Sequence, residues 1–146
     1  MHPTHHIRRI AGAVLGVASL TLAGCAGLSP GSTVNVQLRG SEEVPPVSTS
    51  ATGNGTITIH PDKSVTGGVT TFGMNGGMAA HIHQGARGQN GPISVGLVKS
   101  GDNGWAVPAG AKLTDAQYDA FRAGNLYVNV HTPANKGGEI RGQLNP

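Results

Sequence analysis

One stretch of this 146-residue chain carries side chains suited to binding a metal ion. In residues 80–85, His81 and His83 are separated by the apolar residue Ile82. Successive side chains of an extended strand point to opposite faces, so both imidazoles project from the same face. Neutral imidazole is the commonest protein ligand for zinc and copper. The spacing therefore predicts two ligands that reach one ion.

A second stretch, residues 127–132, ends a predicted strand and contributes another histidine, His131. A loop containing proline and glycine then leads to Glu139 at the start of the last strand. The apolar residues of these strands alternate toward the core, so His131 and Glu139 lie near each other if the strands form a hairpin. Glu139 is then a fourth ligand or an acceptor that fixes a histidine tautomer. The predicted site consists of His81, His83, His131 and Glu139.

Three imidazole ligands with one open coordination position favour copper or zinc. The alternative is a hydrogen-bonded polar network that braces the loops and holds no metal. His60, which precedes Pro61 in a predicted turn, is expected to be solvated and is left out of the site.

The composition predicts short strands joined by many turns. Glycine accounts for 24 residues, aromatic residues for 3% and charged residues for 12%. The core must therefore consist of Val, Ile, Leu and Ala. Without Arg8 and Arg9, which lie in a segment expected to be removed, eight basic residues face seven acidic ones. That balance gives no basic patch for nucleic acid, so we expect no nucleic-acid partner.

The N-terminus predicts an exported protein. A basic segment that ends at Arg9 precedes an apolar run over residues 10–23, which is shorter than the roughly 20 residues of a membrane-spanning helix. The run ends Leu22-Ala23-Gly24-Cys25, which resembles the lipobox of bacterial lipoproteins. The predicted divisions are a signal peptide over residues 1–24, a lipidated Cys25 with its tether over 25–32, and one domain over 33–146.

The lipobox resemblance implies that acyl chains on Cys25 hold the protein on a bacterial membrane. Ala26 follows Cys25, and the absence of Asp there implies the outer membrane, facing the periplasm, if the bacterium has two membranes. The alternative is an ordinary signal peptide with an unrelated cysteine. Cys25 is the chain's only cysteine, so a lipid there excludes any disulfide within the domain.

Alternating apolar residues and turn signals predict an all-β sandwich with one short helix. The predicted helix follows Thr114 as its N-cap and stops at Gly124. Residues 100–110, which include Trp105, are expected to be irregular. The predicted strands cover residues 33–39, 53–60, 64–72, 78–84, 93–98, 126–131 and 139–144.

Several of these segments together resemble the CHRD domain, a family named after chordin. They are residues 80–83, Gly91-Pro92, Leu113-Thr114, residues 124–132 and residues 138–144. The resemblance covers almost the whole chain after the tether. It implies an antiparallel sandwich of the immunoglobulin-like or superoxide-dismutase-like type. The family occurs in animal regulators of bone morphogenetic protein signalling and in exported bacterial proteins, so it specifies the fold more closely than the activity.

Three functions are compatible with these features. The first is a non-catalytic, membrane-anchored binding module with a copper or zinc site. The second is a copper enzyme related to superoxide dismutase, although the chain after Cys25 has only four histidines for the paired metals of that enzyme. The third is a purely structural protein of the cell envelope that meets a protein partner through its sheet faces.

Overall fold

The computed structural model describes residues 30–146. The predicted signal peptide over residues 1–24 and the predicted lipidation site Cys25 lie outside the described residues. No helix within 30–146 has the length and apolar character needed to cross a membrane.

The described residues form nine strands and one α-helix, which confirms the predicted all-β class with a short helix. A single 3-10 turn, Gly40–Glu42, follows the first strand. The elements are β1 (Ser32–Arg39), β2 (Thr52–Ile59), β3 (Val65–Phe72), β4 (Ala79–Gln84), β5 (Ile93–Gly96), β6 (Val98–Lys99), β7 (Gly104–Ala106), α1 (Asp115–Arg122), β8 (Leu126–His131) and β9 (Ile140–Leu144).

All strand pairs are antiparallel and follow the order β5-β4-β8-β9-β1-β2-β3-β7-β6. The first and last strands of this order, β5 and β6, are separated in the chain only by Leu97. Because they are consecutive, the sheet must curl back on itself and nearly close. The result is a barrel-like sandwich in which β4, β8 and β9 are neighbours.

Two local predictions were wrong. The single strand predicted over residues 93–98 is two strands, because the pairing partner changes at Leu97: β5 pairs with β4, and β6 pairs with β7. Residues 100–110 are not wholly irregular, since Trp105 lies in β7 and pairs with Val69 of β3. Trp105 is 5% exposed, so a buried aromatic side chain and its cross-strand pairing produced a strand where glycines and polar residues predicted a loop.

The inner face of the sheet follows the predicted alternation. The burial pattern of β1 alternates along its length, and Val34, Val36 and Leu38 point into the core. The most deeply buried aliphatic residues come from β1, β2, β4, β8 and β9: Leu38, Ile57, Ile59, Ile82, Leu126, Val128, Val130, Ile140 and Leu144. The burial of every second side chain, mostly Val, Ile and Leu, thus specifies which face of each strand is turned toward the core.

The outer face of β8 and β9 is buried too, and alternation alone does not predict this. Every residue of both strands is buried, including the polar ones. Residues 85–91 form a loop over this face, and several of its backbone groups bond side chains of β8 and β9. The polar outer face is therefore enclosed in a second, hydrogen-bonded layer.

The helix begins and ends at the predicted residues. Thr114 and Gln117 form a capping box in which each side-chain oxygen accepts a hydrogen bond from the other residue's backbone N–H. Gly124 adopts a positive φ of 72°, which terminates the helix. Phe121 is 2% exposed and packs the helix onto the core.

Close approach of β9 to β1 requires glycine at position 142. A Cβ at Gly142 would collide with the backbone oxygen of Gln37 and lie 2.6 Å from a methyl carbon of Val36. We expect Gly142→Ala to lower the free energy of unfolding by roughly 1–3 kcal/mol, because the two strands must separate to admit a methyl group. Urea denaturation measures the effect.

Gly96→Ala is the matched control, because a Cβ on this β5 glycine meets nothing within 4 Å. It should change stability by less than about 1 kcal/mol. Equal destabilisation by the two substitutions would contradict the proposed contact between β9 and β1.

Candidate metal centre

The two histidines of β4 share a face, as strand alternation predicts. Ile82 between them is fully buried in the core, and the His81 and His83 ring centroids lie 5.4 Å apart on the opposite side. A register shift on the β5 side falls between Ile82 and His83. The strand thus presents two imidazoles side by side.

The third imidazole arrives through the pairing of β4 with β8. In this register Ala79 lies opposite His131 and His81 lies opposite Asn129. His81 Nδ1 and His131 Nε2 are 2.9 Å apart, although the residues are 50 positions apart in the sequence. One nitrogen from each of His81, His83 and His131 lies within 4.8 Å of the others. The structure therefore brings together the three histidines that the sequence predicts.

Hydrogen bonds to backbone carbonyls fix the tautomers of two rings. His83 Nδ1 is 2.9 Å from the oxygen of Gly91, and His131 Nδ1 is 2.9 Å from the oxygen of Lys136. A carbonyl oxygen only accepts, so each Nδ1 carries the proton and donates it. Each Nε2 consequently keeps its lone pair, which is the form that binds a metal; that of His83 has no partner, and that of His131 faces His81 Nδ1.

The separation of one pair of imidazole nitrogens is close to that in a tetrahedral site. Two nitrogens bound at about 2.0–2.1 Å to one tetrahedral ion lie roughly 3.3 Å apart. The His81–His131 nitrogen separation of 2.9 Å is slightly shorter, as expected when a proton lies between the two nitrogens. An ion bound by all three rings would replace that proton, and the three nitrogens, which lie within 4.8 Å of one another, would draw closer together around it.

Burial favours the neutral form of His81 and His83. Burial lowers the pKa of His83, and the Gly91 carbonyl partly opposes this. Burial also lowers the pKa of His81, with further lowering from the neighbouring His131 and His83. Neutral imidazole is the ligating form, so these shifts favour a metal over protons.

Glu139, the predicted fourth ligand, is not brought into the histidine group. Its carboxylate accepts from Thr132 Oγ1 at 2.6 Å, Thr49 Oγ1 at 2.8 Å and Asn135 Nδ2 at 3.3 Å. The hydrogen bond from Thr132 is the main cause of its lowered pKa. The hairpin of β8 and β9 forms as expected, but Glu139 braces its loop instead of facing the rings.

Tyr127 and Arg141 also contribute to the site, and neither was among the predicted site residues. The Tyr127 ring stacks on the His83 ring at a centroid distance of 5.0 Å and an interplanar angle of 7°. The Arg141 guanidinium carbon lies 3.5 Å from the Tyr127 centroid. Strand alternation places Tyr127 and Arg141 on the same face as His131, and that was the only signal for them in the sequence.

Arg141 holds the covering loop in place. Its Nη2 donates to the backbone oxygens of Ala86 and Gln89, both at 3.0 Å, and its Nη1 donates to Asn90 Oδ1 at 3.3 Å. The adjoining Gly91 in turn provides the carbonyl that orients His83. The planar, multidentate guanidinium thus supports the orientation of the His83 ring indirectly.

Four buried side-chain atoms within residues 30–146 have no hydrogen-bond partner. They are Glu43 Oε1, His83 Nε2, Ser94 Oγ and Asn129 Oδ1. His83 and Asn129 lie on the outer face of β4 and β8, and Ser94 lies within the β5 register shift, between the residues that pair with Ile82 and His83. Buried polar atoms are nearly always paired in native proteins, so this grouping calls for a ligand or water at the site.

Glu43 approaches the site from the 3-10 turn. Its side chain lies beside Gly138, where a Cβ would collide with both Glu43 Oε1 and Asn129 Nδ2. Burial raises the pKa of Glu43 to about 7, although Arg141 and the Asn129 amide oppose the rise. Sequence patterning does not reveal this residue, because it lies in a loop.

The fold and the site define an all-β protein whose polar sheet face carries a cluster of three histidines able to hold a metal ion. The family model for the CHRD domain matches residues 34–144, and the chain belongs to that family. No curated protein and no solved structure matches the chain.

The raised pKa of Glu43 predicts a pH-dependent stability. Between pH 4.5 and about 7 the folded state holds this proton more tightly than the unfolded chain does. The free energy of unfolding should therefore fall as pH rises through that window, by up to about 3 kcal/mol from this group. Glu43→Gln removes the titration, so it should match the wild type near pH 4 and exceed it in stability near pH 8 in urea denaturation.

Glu42→Gln is the control for loss of a charge from the same turn. A stability difference between the Glu43→Gln variant and the wild type that does not change with pH would contradict the buried, proton-binding carboxyl.

Proposed function

We propose that this protein is a non-catalytic, lipid-anchored binding module of a bacterial cell envelope that holds one Cu(II) or Zn(II) ion through His81, His83 and His131. Membership of the CHRD family supports a binding module. The clustering of the three imidazoles supports the metal.

The unpartnered Nε2 of His83 is the observation that carries the metal proposal. The residue is 8% exposed, and its Nδ1 already donates to Gly91. A buried acceptor without a donor costs roughly 1–3 kcal/mol. An ion bound at Nε2 would remove that cost. The unused lone pair therefore supports a role for His83 as a metal ligand over a role in a polar network that only braces the loops.

The donor set favours copper or zinc over harder or softer ions. Imidazole suits both metals, whereas calcium and magnesium prefer oxygen ligands. The chain's only cysteine, Cys25, precedes the described domain, so residues 30–146 offer no thiolate. Affinity for nitrogen ligands rises from zinc to copper, and we expect Cu(II) to bind more tightly than Zn(II).

Titration calorimetry of the domain purified without its lipid tests this proposal. We expect about one equivalent of Cu(II) or Zn(II) per chain and, in the His83→Ala variant, a loss of affinity of roughly 100-fold or more, since even indirect supports of a metal ligand are worth 10–100-fold. The reason is the removal of one of three nitrogen ligands.

His60→Ala is the matched control, because His60 bonds Thr66 in a different part of the sheet and does not belong to the cluster. Its affinity should equal that of the wild type. Absence of heat with both ions would reject the metal site and leave a purely structural envelope protein, with its unknown protein partner, as the remaining interpretation.

A lipid at Cys25 explains the lone cysteine beside an apolar N-terminal run. Because stable anchoring takes more than one acyl chain, we expect the expressed protein to carry several and to enter the membrane fraction. Cys25→Ser should remove the lipid, as mass spectrometry would detect, and release the protein from the membrane. An unlipidated wild-type protein that fractionates as soluble would contradict the anchor.

A copper redox enzyme is the second candidate. Partial exposure of His81 favours it, because an ion beside that ring would be reachable by a small substrate. Superoxide dismutase activity of the copper-loaded protein, lost in the His83→Ala variant, would replace the binding module with this enzyme.

A further inference from the structure

Asn129 occupies the middle of the candidate metal centre. It is 2% exposed and lies in β8 opposite His81 of β4 and Arg141 of β9. Alternation along β8 places it on the same face as His131, two residues further on. No hydrogen bond uses its side-chain oxygen.

The orientation of the Asn129 amide is determined by its surroundings. Nδ2 donates to the backbone oxygen of Gly137 at 3.2 Å and lies beside the Glu43 carboxylate at Gly138. Rotation of the amide by half a turn would direct Oδ1 at the Gly137 oxygen, which only accepts hydrogen bonds and would repel it. Oδ1 must therefore point away from Gly137.

The oxygen shares its buried surroundings with the His83 ring. In the register of β4 and β8, Asn129 lies directly opposite His81 and diagonally across from His83 on the same face. His83 Nε2 and Asn129 Oδ1 are both buried acceptors with no donor. Two neighbouring lone pairs without a proton between them are stabilised by a cation.

We propose that Asn129 Oδ1 is the fourth protein ligand of the ion held by His81, His83 and His131. This inference rests on the proposed metal-binding function and specifies it further. An amide oxygen is a neutral, weak ligand of a kind that copper sites use in an axial position. Four protein ligands fill a tetrahedral shell, and such closed sites hold an ion without offering it to a substrate. The site is accordingly one for holding metal, not for turnover.

Cobalt substitution with azide as a probe tests the fourth ligand. The visible absorption of Co(II) reports its coordination, and azide replaces a bound water but not a protein ligand in a closed site. We expect azide to leave the spectrum of the Co(II)-loaded wild type unchanged. In Asn129→Ala, azide should change the spectrum, and affinity for Co(II) should fall roughly 10–100-fold.

Two further variants complete the experiment. Asn129→Asp keeps an oxygen ligand and adds a charge, so it should remain unresponsive to azide, and it serves if the alanine variant fails to fold. Asn35→Ala removes an asparagine on β1 that bonds Thr56, away from the histidines, and should behave as the wild type.

An azide response in the wild type would overturn the fourth ligand while leaving the metal site intact. Absence of a response in both the wild type and Asn129→Ala would also overturn it, since Asn129 would not be what closes the site. Failure of the wild type to bind Co(II), Cu(II) or Zn(II) would instead reject the proposed metal-binding function itself, and the fourth ligand with it.

Discussion

The candidate site depends on the register between β4 and β8. Pairing of Ala79 with His131 and of His81 with Asn129 places side chains from two distant stretches on one patch of the sheet. Side chains alternate with a period of two residues, so a slip of one residue would send His131 toward the core and Val130 toward the outer face. Burial of Ile82, Val128 and Val130 prevents that slip. The apolar face thus maintains the geometry of the polar one.

The covered outer face converts this register into a defined chemical environment. Arg141 and Gln143 donate to carbonyls of the 85–91 loop, and that loop brings the Gly91 oxygen to His83. Backbone carbonyls therefore decide which nitrogen of His83 and of His131 keeps its lone pair. A network of this kind, once satisfied, holds side chains more rigidly than exposed strands can. The unpaired atoms that remain mark the place where the network is completed by a ligand or water.

The side chains around the candidate site determine how the charge of a bound ion would be balanced. The candidate ligands from the histidines and from Asn129 are neutral groups. Glu139, the carboxylate predicted to join them, instead accepts hydrogen bonds from Thr132 and Thr49. An ion bound only by neutral ligands would keep its full charge, and the buried Glu43 carboxyl lies beside Asn129. Burial of an uncompensated charge is unfavourable, so a deprotonated Glu43 would offset part of that cost.

Local periodicity was enough to predict the all-β class, the inward residues of β1 and β8, the helix after Thr114 and the shared face of His81 and His83. These features depend on neighbours within a few residues, so the sequence alone determined them. Trp105 was missed as a strand residue because its pairing with Val69 is a contact between distant segments. Contacts between distant segments also determine the hydrogen-bond partners of Glu139, the stacking of Tyr127 on His83 and the orientation of Asn129. Only the tertiary structure decided them, because strand register and loop cover arise from contacts between residues that are far apart in the chain.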